Sequence, residues 1–259
     1  MTMRVVVLDV ETTGLPPKQT VTARSKDPSK WSGWPYVMQV SWVVVDVTDL
    51  DQVELKPPGT VGYTLREAAG RYCTKQQSVR DFLVRVPDGV VVDPVSESMH
   101  GLTGACRRHG VPVEEALGAL MADLSGAAYI VGHNVDADVR FVLCELSRTH
   151  HASSQAWTTC LLAKPRYCTM HAGTRVCRLP LPAHCRPRFV GDSWSPLYKY
   201  PRLVELYAHL FGAEEAQQLA KGLHNARTDA LACCRCFERL LNAAAGGGFR
   251  PHDESLYIQ

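Results

Sequence analysis

The feature that most constrains the fold is an apolar run near the start that ends in two acidic residues. The run Val5–Leu8 predicts a buried strand, and Asp9 and Glu11 follow it. Residues two apart on a strand point to the same face, so both carboxylates would project together where the chain turns at Gly14. Two like charges beside an apolar segment are unfavourable unless a cation lies between them. Taken alone, the pair is more typical of two solvated acids at a strand end.

The overall composition is that of a globular α/β protein. The chain has 259 residues, of which 46% are hydrophobic and 21% charged, enough for one large domain with a sizeable core. A net charge of +2 is not by itself a sign of nucleic-acid binding. No apolar run approaches the ~18 residues of a membrane span, and the N-terminal pattern is not that of a signal peptide. We therefore expect an intracellular protein without a membrane span.

The cysteine content raises a separate question about zinc. Ten cysteines in a chain of this type indicate reduced thiols rather than a disulfide framework. Four of them are interspersed with histidines, but they form no C-x-x-C pair and match no standard finger spacing. A zinc site in this stretch is a hypothesis that the sequence alone leaves open; its residues would be Cys160, Cys168, His171, Cys177, His184 and Cys185.

Apolar periodicity predicts strands first and then alternating strands and helices. This order favours a mixed sheet flanked by helices, with the first three strands in an antiparallel meander. The predicted strands are Arg4–Asp9, Val37–Val47, Asp81–Val86, Ala128–Val131 and Trp157–Leu162. The predicted helices are Val113–Leu124, Val135–Leu146, Leu203–Phe211 and Ala226–Leu241.

One polar segment, residues 16–36, combines basic and aromatic side chains. Such a mixture suits a single-stranded nucleic acid, because cations bind phosphates and rings stack on bases. A long surface loop whose tryptophans cover part of the core explains it equally well. The residues concerned are Lys18, Arg24, Lys26, Lys30, Trp31 and Trp34.

Two further acids lie at predicted helix starts. Asp138 follows a short strand and His133, and Asp229 follows His224 at the start of the last helix. A helix dipole favours an acid in the first turn, so each is unremarkable singly. Four acids at one strand end and two helix starts are far more informative together.

These positions resemble the DEDDh family of 3′-to-5′ exonucleases in three motifs. They are D-x-E-T-T-G at residues 9–14, H-N-x-x-x-D at 133–138 and H-x-x-x-x-D at 224–229. Ala137 stands where the family usually has an aromatic residue. The segments His100–Thr103 and Lys199–Tyr207 also resemble the family, so the resemblance covers about residues 4–242. All three motifs in order form a strong signal, although each alone is weak.

The resemblance implies a ribonuclease-H-like α/β fold, a five-stranded mixed sheet with helices on both sides. It also implies two divalent metal ions, Mg²⁺ or Mn²⁺. Asp9 would bridge both ions, Glu11 and Asp229 would bind the ion that holds the attacking water, and Asp138 would act on the second. His224 would be the general base.

The motif spacing also separates the metal ligands from neighbouring polar residues. It favours Asp138 over Asp136, which we expect to be a solvated acid in the first helical turn. His133 and Asn134 would position substrate or cap the helix. We expect Thr12, Thr13, Leu15 and Asn134 to contact substrate, with core packing as the alternative for Leu15.

The expected domain is residues 1–242, with insertions near 16–36, 59–77 and 163–198 and a flexible tail at 243–259. The expected activity is removal of nucleoside 5′-monophosphates from a nucleic acid with a free 3′ end, single-stranded DNA or a frayed end. Alternatives are an exoribonuclease and an inactive module that binds nucleic acid or a polymerase. A structural protein whose acids merely begin helices is a further alternative, against which the family order of the five residues argues.

Overall fold

A five-stranded mixed sheet forms the centre of the structure, a computed structural model that describes residues 2–16, 33–49, 72–182 and 198–243. The order across the sheet is third, second, first, fourth, fifth strand. The first three strands run antiparallel, and the first, fourth and fifth run parallel. The strands are β1 (Thr2–Thr12), β2 (Val37–Asp49), β3 (Tyr72–Leu83), β4 (Tyr129–Gly132) and β5 (Arg166–Cys168).

Helices cover both faces of this sheet, which confirms the predicted fold class. In chain order they are α1 (Pro94–His100), α2 (Thr103–His109), α3 (Val113–Ser125), α4 (Val135–Arg148), α5 (Ser154–Ala163), α6 (Thr169–Cys177), α7 (Leu203–Phe211), α8 (Ala213–Ala220) and α9 (Ala226–Ala243). None of the helices within the described ranges combines the length and apolar character needed to cross a bilayer.

Alternation along β1 divides the core into two layers. Val6 and Leu8 point to one face, where they join the buried side chains of α3 and α4. Val5 and Val7 point to the other face and pack against α9. Because this period of two continues through the strand, Asp9 and Glu11 lie on the α9 side of the sheet.

Several predicted elements differ from the structure. The strand predicted at Trp157–Leu162 is wrong, because this segment is α5, whose Leu161 is completely buried. The fifth strand is the three-residue β5. Part of the predicted insertion at 163–198 is therefore β5 and α6. The third strand spans Tyr72–Leu83 and begins earlier than predicted. Its first part had been assigned to the insertion at 59–77.

Other predicted features lie partly or wholly outside the described residues. Most of the basic and aromatic segment at 16–36 does so, but Trp34 is described. It is buried and makes an edge contact with Phe141. The burial of Trp34 agrees with the interpretation that the tryptophans of this segment cover part of the core. The tail at 243–259 falls almost entirely beyond the described residues, so the domain boundaries stay a prediction.

The side chain of Gln39 joins the start of α9 to the sheet. Its Oε1 accepts a hydrogen bond from the backbone N–H of Ala226 at 3.0 Å, and its Nε2 donates to Asp81 at 2.8 Å. Ser41 donates to the same Asp81 oxygen. Gln39 is 2% exposed. It therefore satisfies a helix N–H that would otherwise have no partner in the first turn of α9.

We expect Gln39→Leu to lower the free energy of unfolding by about 1–3 kcal/mol, because it leaves the buried N–H of Ala226 without a partner. Denaturant unfolding followed by circular dichroism would measure the change. Gln76→Leu, at an exposed position of β3, is the matched control. Equal stability of both variants would show that Gln39 does not hold α9.

Candidate active site

Three of the predicted acids meet at the end of β1. One carboxylate oxygen from each of Asp9, Glu11 and Asp229 lies within 4.8 Å of the others. In the register of the sheet, Asp9 is opposite Ser41 and Glu11 is opposite Gln39. Gln39 also binds the start of α9, which carries Asp229 in its first turn. One buried amide thus brings the third acid to the other two.

The fourth acid, Asp138, reaches the cluster from α4. Pairing between β1 and β4 ends at Val7, so the backbone of β1 beyond this point has no partner strand on that side. The backbone N–H of Val10 there hydrogen bonds to the Asp138 carboxylate. Gly132 permits this approach, because a Cβ at that position would lie 3.1 Å from the carbonyl oxygen of Leu8. The first turn of α4 therefore takes the place of a longer fourth strand.

Burial raises the pKa values of all four acids, and the charges of neighbouring acids add to the shift for Asp9, Glu11 and Asp138. Burial raises the pKa of Asp9 well above its usual range, and the charges of Asp138, Asp229 and Glu11 raise it further. Burial likewise raises the pKa of Asp138 strongly, although the hydrogen bond from Val10 opposes the shift. Burial raises the pKa of Glu11 to about 7, helped by the charge of Asp229, and that of Asp229 to about 6. No lysine or arginine is among the groups that shift these pKa values.

The cluster fits a divalent cation. Asp138 Oδ2 and Asp229 Oδ1 are buried and lack a hydrogen-bond partner among the described residues. Such atoms are unfavourable unless something satisfies them. Hard cations such as Mg²⁺ and Mn²⁺ prefer carboxylate oxygens. A positive ion would both satisfy the oxygens and relieve the repulsion.

His224 lies in the loop that leads into α9, beside the acids. Its backbone N–H donates to Asp229 Oδ2 at 3.2 Å, and its φ of 65° is in the left-handed region. The side chain is exposed to solvent. The loop is closed by Asn225, whose side chain accepts a hydrogen bond from the N–H of Thr228. The geometry leaves the imidazole free to meet a molecule that approaches the acids.

Asp136 is not the solvated acid that the sequence analysis expected. It forms an ion pair of 2.6 Å with Arg166, whose side chain is only 14% exposed. Arg166 lies on the neighbouring β5, a strand that was not predicted there. The pair neutralises Asp136 and leaves Asp138 as the acid of α4 that faces the cluster.

The ring of His133 is held between two structural partners. Its Nε2 lies 2.9 Å from the carbonyl oxygen of Pro201, and its Nδ1 lies 3.0 Å from the hydroxyl of Thr169. Burial lowers the pKa of His133 to about 4. A neutral ring that links the end of β4 to α6 and to the loop before α7 explains this residue without a substrate contact.

Asn134 does not cap α4 with its side chain. The residue occupies the N-cap position with a φ of 73°, but its side chain makes no capping hydrogen bond. It is exposed beside the start of the helix that carries Asp138. A contact with substrate therefore stays a prediction for Asn134.

The threonines of the first motif bind mainly within the protein. Thr13 is 5% exposed, its N–H donates to the carbonyl of Tyr36, and its hydroxyl accepts from the N–H of Tyr36. The Thr12 hydroxyl donates to the carbonyl of Gly14 at 2.7 Å. Leu15 is 84% exposed, which excludes core packing for this residue. Substrate contacts by Thr12, Thr13 and Leu15 remain predictions.

His100 is a neighbour of the site whose role the sequence did not reveal. Its Nδ1 accepts a hydrogen bond from the N–H of Leu102, so its Nε2 carries the proton and donates to the carbonyl of Thr12 at 3.2 Å. Burial lowers its pKa, and the nearby His224 lowers it further. In the sequence, only the resemblance of the segment His100–Thr103 to the family pointed to this residue. The ring holds the loop that follows Glu11.

The zinc hypothesis gains no support from the described residues. Among them, the acids at the end of β1 are the one group of metal-ligating side chains close enough to hold an ion. Cys160, Cys168 and Cys177 are free and lie on different elements. Cys185 and His184 fall outside the described ranges.

Comparison with solved structures identifies the fold. Escherichia coli exonuclease I bound to a dA16 oligonucleotide matches 93% of this chain with a TM-score of 0.51 and 15% identity. Its zinc-bound complex with single-stranded DNA matches with a TM-score of 0.50 and 13% identity over 93% of this chain. A full-length 3′-exonuclease matches 94% of this chain with a TM-score of 0.50 and 11% identity. The chain has the ribonuclease-H-like exonuclease fold.

The same comparison sets the scale of the similarity. The matched region is 41% of the length of exonuclease I and 62% of the full-length 3′-exonuclease. No protein-family model matches the sequence, and no curated protein matches it significantly. At these identities the likeness concerns the fold, so the chemistry has to be argued from the site.

The pH dependence of stability should report how far burial and repulsion disfavour the charged form of Glu11. The pKa of Glu11 rises from 4.5 to about 7 on folding. The folded state then binds the proton more tightly, and the free energy of unfolding falls as pH rises from about 4.5 to about 7. We expect Glu11→Gln to stabilise the chelator-treated protein at pH 8 by on the order of 1–3 kcal/mol, with the gain disappearing near pH 4.5.

Thermal and denaturant unfolding at several pH values would test this expectation. Asp88→Asn, at an exposed turn position, controls for the loss of a negative charge. Added Mn²⁺ should stabilise the wild type more than Glu11→Gln at pH 8. The same stability difference at both pH values would contradict the interpretation.

Proposed function

We propose that this protein is a metal-dependent 3′-to-5′ exonuclease of the DEDDh type. The observation that carries the proposal is the convergence of four acids from three distant segments, Asp9 with Glu11, Asp138 and Asp229, on one partly buried cluster next to His224. The exonuclease fold supports it. A nuclease site of this kind needs the four carboxylates in one place and a proton acceptor at the open side.

The cluster would hold two divalent ions. Asp9, Glu11 and Asp229 offer oxygens within 4.8 Å of one another, and Asp138 offers a buried oxygen without a partner. When bound, the ions would lower the pKa of a water molecule and stabilise negative charge on the phosphate and the leaving oxygen. The protein supplies the fixed arrangement, through the alternation of β1 and the docking of α4 and α9.

His224 would take the proton from the attacking water. Its ring is exposed at the side of the cluster where Asp229 lies, and its backbone is fixed by the hydrogen bond to that acid. A histidine titrates near neutral pH in its ordinary range, which suits a general base. The other nearby rings are occupied: His100 by Thr12 and Leu102, and His133 by Pro201 and Thr169.

The preferred substrate would be a single strand of DNA or a frayed end. The acids are largely buried, so a terminal nucleotide has to enter the site away from its paired partner. The solved complexes of exonuclease I contain single-stranded DNA or a dA16 oligonucleotide, which supports the same choice. Trimming of RNA by the same chemistry is the second candidate, because the four acids and His224 would act on the phosphate, which DNA and RNA share.

An inactive binding module is the alternative of a different class. It would retain the fold without the reaction. Two observations argue against this alternative. The four acids and His224 are all present, and two buried carboxylate oxygens lack a hydrogen-bond partner among the described residues.

The test uses 5′-labelled single strands of DNA and RNA of equal sequence. We expect the wild type with Mg²⁺ or Mn²⁺ to produce a ladder that shortens from the 3′ end, and chelator to abolish it. Asp9→Asn should abolish shortening while keeping the fold, because it removes the shared ligand but not the volume. If the folded wild type shortens neither strand with any ion, the proposal is wrong and the inactive module is favoured.

Replacement of the proposed base should separate catalysis from metal binding. We expect His224→Asn to lower kcat by about 10²–10⁴-fold, since asparagine tolerates the left-handed backbone but accepts no proton. The rise in melting temperature on adding Mn²⁺ should persist. His209→Asn, in the last turn of α7, is the control for losing a histidine elsewhere. Unchanged kcat in His224→Asn would exclude the assigned role.

A further inference from the structure

The last turn of α4 contains a buried ion pair. Glu145 is 3% exposed, and its Oε1 accepts a hydrogen bond from the guanidinium of Arg148 at 2.9 Å. The same oxygen accepts a hydrogen bond from the backbone N–H of Val37, the first residue of β2, at 2.8 Å. Two charges lose their hydration here, and a buried ion pair is by itself weak evidence for a stabilising role. What this pair holds in place therefore matters more than the pair alone.

Arg148 extends these contacts to the three residues that precede β2. Its guanidinium donates hydrogen bonds to the carbonyl oxygens of Pro35, at 3.2 Å, and Trp34. It also lies over the ring of Tyr36, 4.2 Å from the ring centroid. The ion pair thus contacts each of four consecutive residues, which we call the 34–37 segment.

The 34–37 segment is bound in turn to the first motif. The carbonyl of Tyr36 accepts a hydrogen bond from the N–H of Thr13 at 2.8 Å, and the N–H of Tyr36 donates to the Thr13 hydroxyl at 2.9 Å. Val37 lies opposite Thr12 in the register of β1 and β2. The ion pair therefore reaches the first motif through a single layer of backbone.

The pairing of β1 with β2 is irregular at the point that the ion pair contacts. Glu11 is opposite Gln39, but Thr12 is opposite Val37, so Met38 is an extra residue in β2. A bulge of this kind bends the strand locally and redirects neighbouring side chains, and bulges are common next to active sites. The direction of the Glu11 side chain therefore depends on a bulge that the ion pair holds from the side of α4.

The ion pair lies on the same face of α4 as the acid of the cluster. Asp138 and Glu145 are seven positions apart, which corresponds to about two helical turns and about 10 Å along the axis. Asp138 accepts a hydrogen bond from the N–H of Val10 in β1, and Glu145 accepts one from Val37 in β2. One helix thus supplies an acid to the cluster and fixes the strand irregularity beside another acid.

We propose that Glu145 and Arg148 position Glu11 for a divalent cation. By holding the bulge, they keep its carboxylate within reach of Asp9 and Asp229. The inference rests on the proposed function, which assigns divalent ions to the cluster. Neither member of the pair is a ligand, because both side chains are engaged with each other and with the 34–37 segment.

The test measures binding of Mn²⁺ without nucleic acid, from the electron paramagnetic resonance signal of the free ion. We expect Glu145→Leu to weaken binding about 10-fold, the lower end of the effect seen for groups that orient metal ligands directly. Cleavage of a labelled single strand of DNA should then require more Mn²⁺, whereas KM for the strand at saturating Mn²⁺ should stay within about twofold of wild type.

The conservative variant Glu145→Gln should restore most of the binding. Its amide oxygen can still accept the N–H of Val37, so we expect affinity for Mn²⁺ within about threefold of wild type. If Glu145→Leu does not fold, Arg148→Lys replaces it in the test. Lysine keeps the charge but not the planar fork of the guanidinium, and binding should weaken about threefold.

Leu124→Ala is the matched control for a loss of stability. Leu124 is completely buried in the last turn of α3, and its removal should destabilise the protein by opening a cavity. This turn leads to Ala128, which bonds to the carbonyl of Arg4 at the start of β1, whereas the acids lie at the end of that strand. The control should keep the wild-type affinity for Mn²⁺.

The outcomes separate this proposal from the exonuclease proposal. Wild-type affinity for Mn²⁺ in Glu145→Leu, or in Arg148→Lys where it replaces that variant, would show that the pair does not position Glu11. A similar loss in Leu124→Ala, or no recovery in Glu145→Gln, would also contradict the positioning role. If the wild type binds Mn²⁺ but cleaves no strand, the exonuclease proposal fails and the binding data still decide the role of Glu145. If the wild type binds no Mn²⁺, both proposals are wrong.

Discussion

The central constraint on the structure is that four carboxylates lie close together, where burial and mutual repulsion disfavour their charged forms. Their charges oppose folding at neutral pH, as the raised pKa values of Glu11 and Asp229 indicate. The rest of the fold has to hold them in place against this force. The strand pairing of β1, the hydrogen bond from Val10 to Asp138 and the docking of α9 through Gln39 provide that restraint.

Because of this constraint, the polar residues around the cluster have different roles. Gln39, His100 and His133 are mostly or wholly engaged with backbone groups or neighbouring side chains, and they set the positions of α9, the first motif and the end of β4. Arg166 forms an ion pair with Asp136, a nearby acid that does not belong to the cluster. The unpaired oxygens of Asp138 and Asp229 are thereby left for a ligand.

Much of the fold and the set of acids could be predicted from the sequence, because both depend on local patterns. Apolar runs rich in β-branched residues indicated β1 and β2, and the helical stripe of α9 was clear. The strand predicted at Trp157–Leu162 is wrong because tryptophan and threonine favour strands intrinsically, whereas packing of Trp157 on His151 and burial of Leu161 stabilise a helix. The three residues of β5 give too short a pattern to detect.

The role of Gln39 could not be predicted for a different reason. Its partner Ala226 is 187 positions away, and a glutamine in a strand carries no local sign of such a contact. The same holds for Arg166 with Asp136, which depends on a strand that the pattern missed. Sequence motifs thus indicate the candidate groups of the site, while the residues that orient them emerge only from the tertiary structure.

The position of Asp229 in the chain has a consequence for biosynthesis. The cluster takes its acids from β1, α4 and α9, and the last of these follows all the other described elements. A nascent chain that has folded its sheet still lacks one carboxylate, the loop of His224 and the helix that covers Val5 and Val7. The complete cluster therefore cannot assemble on the ribosome until α9 has emerged, so an unfinished chain carries an incomplete set of acids.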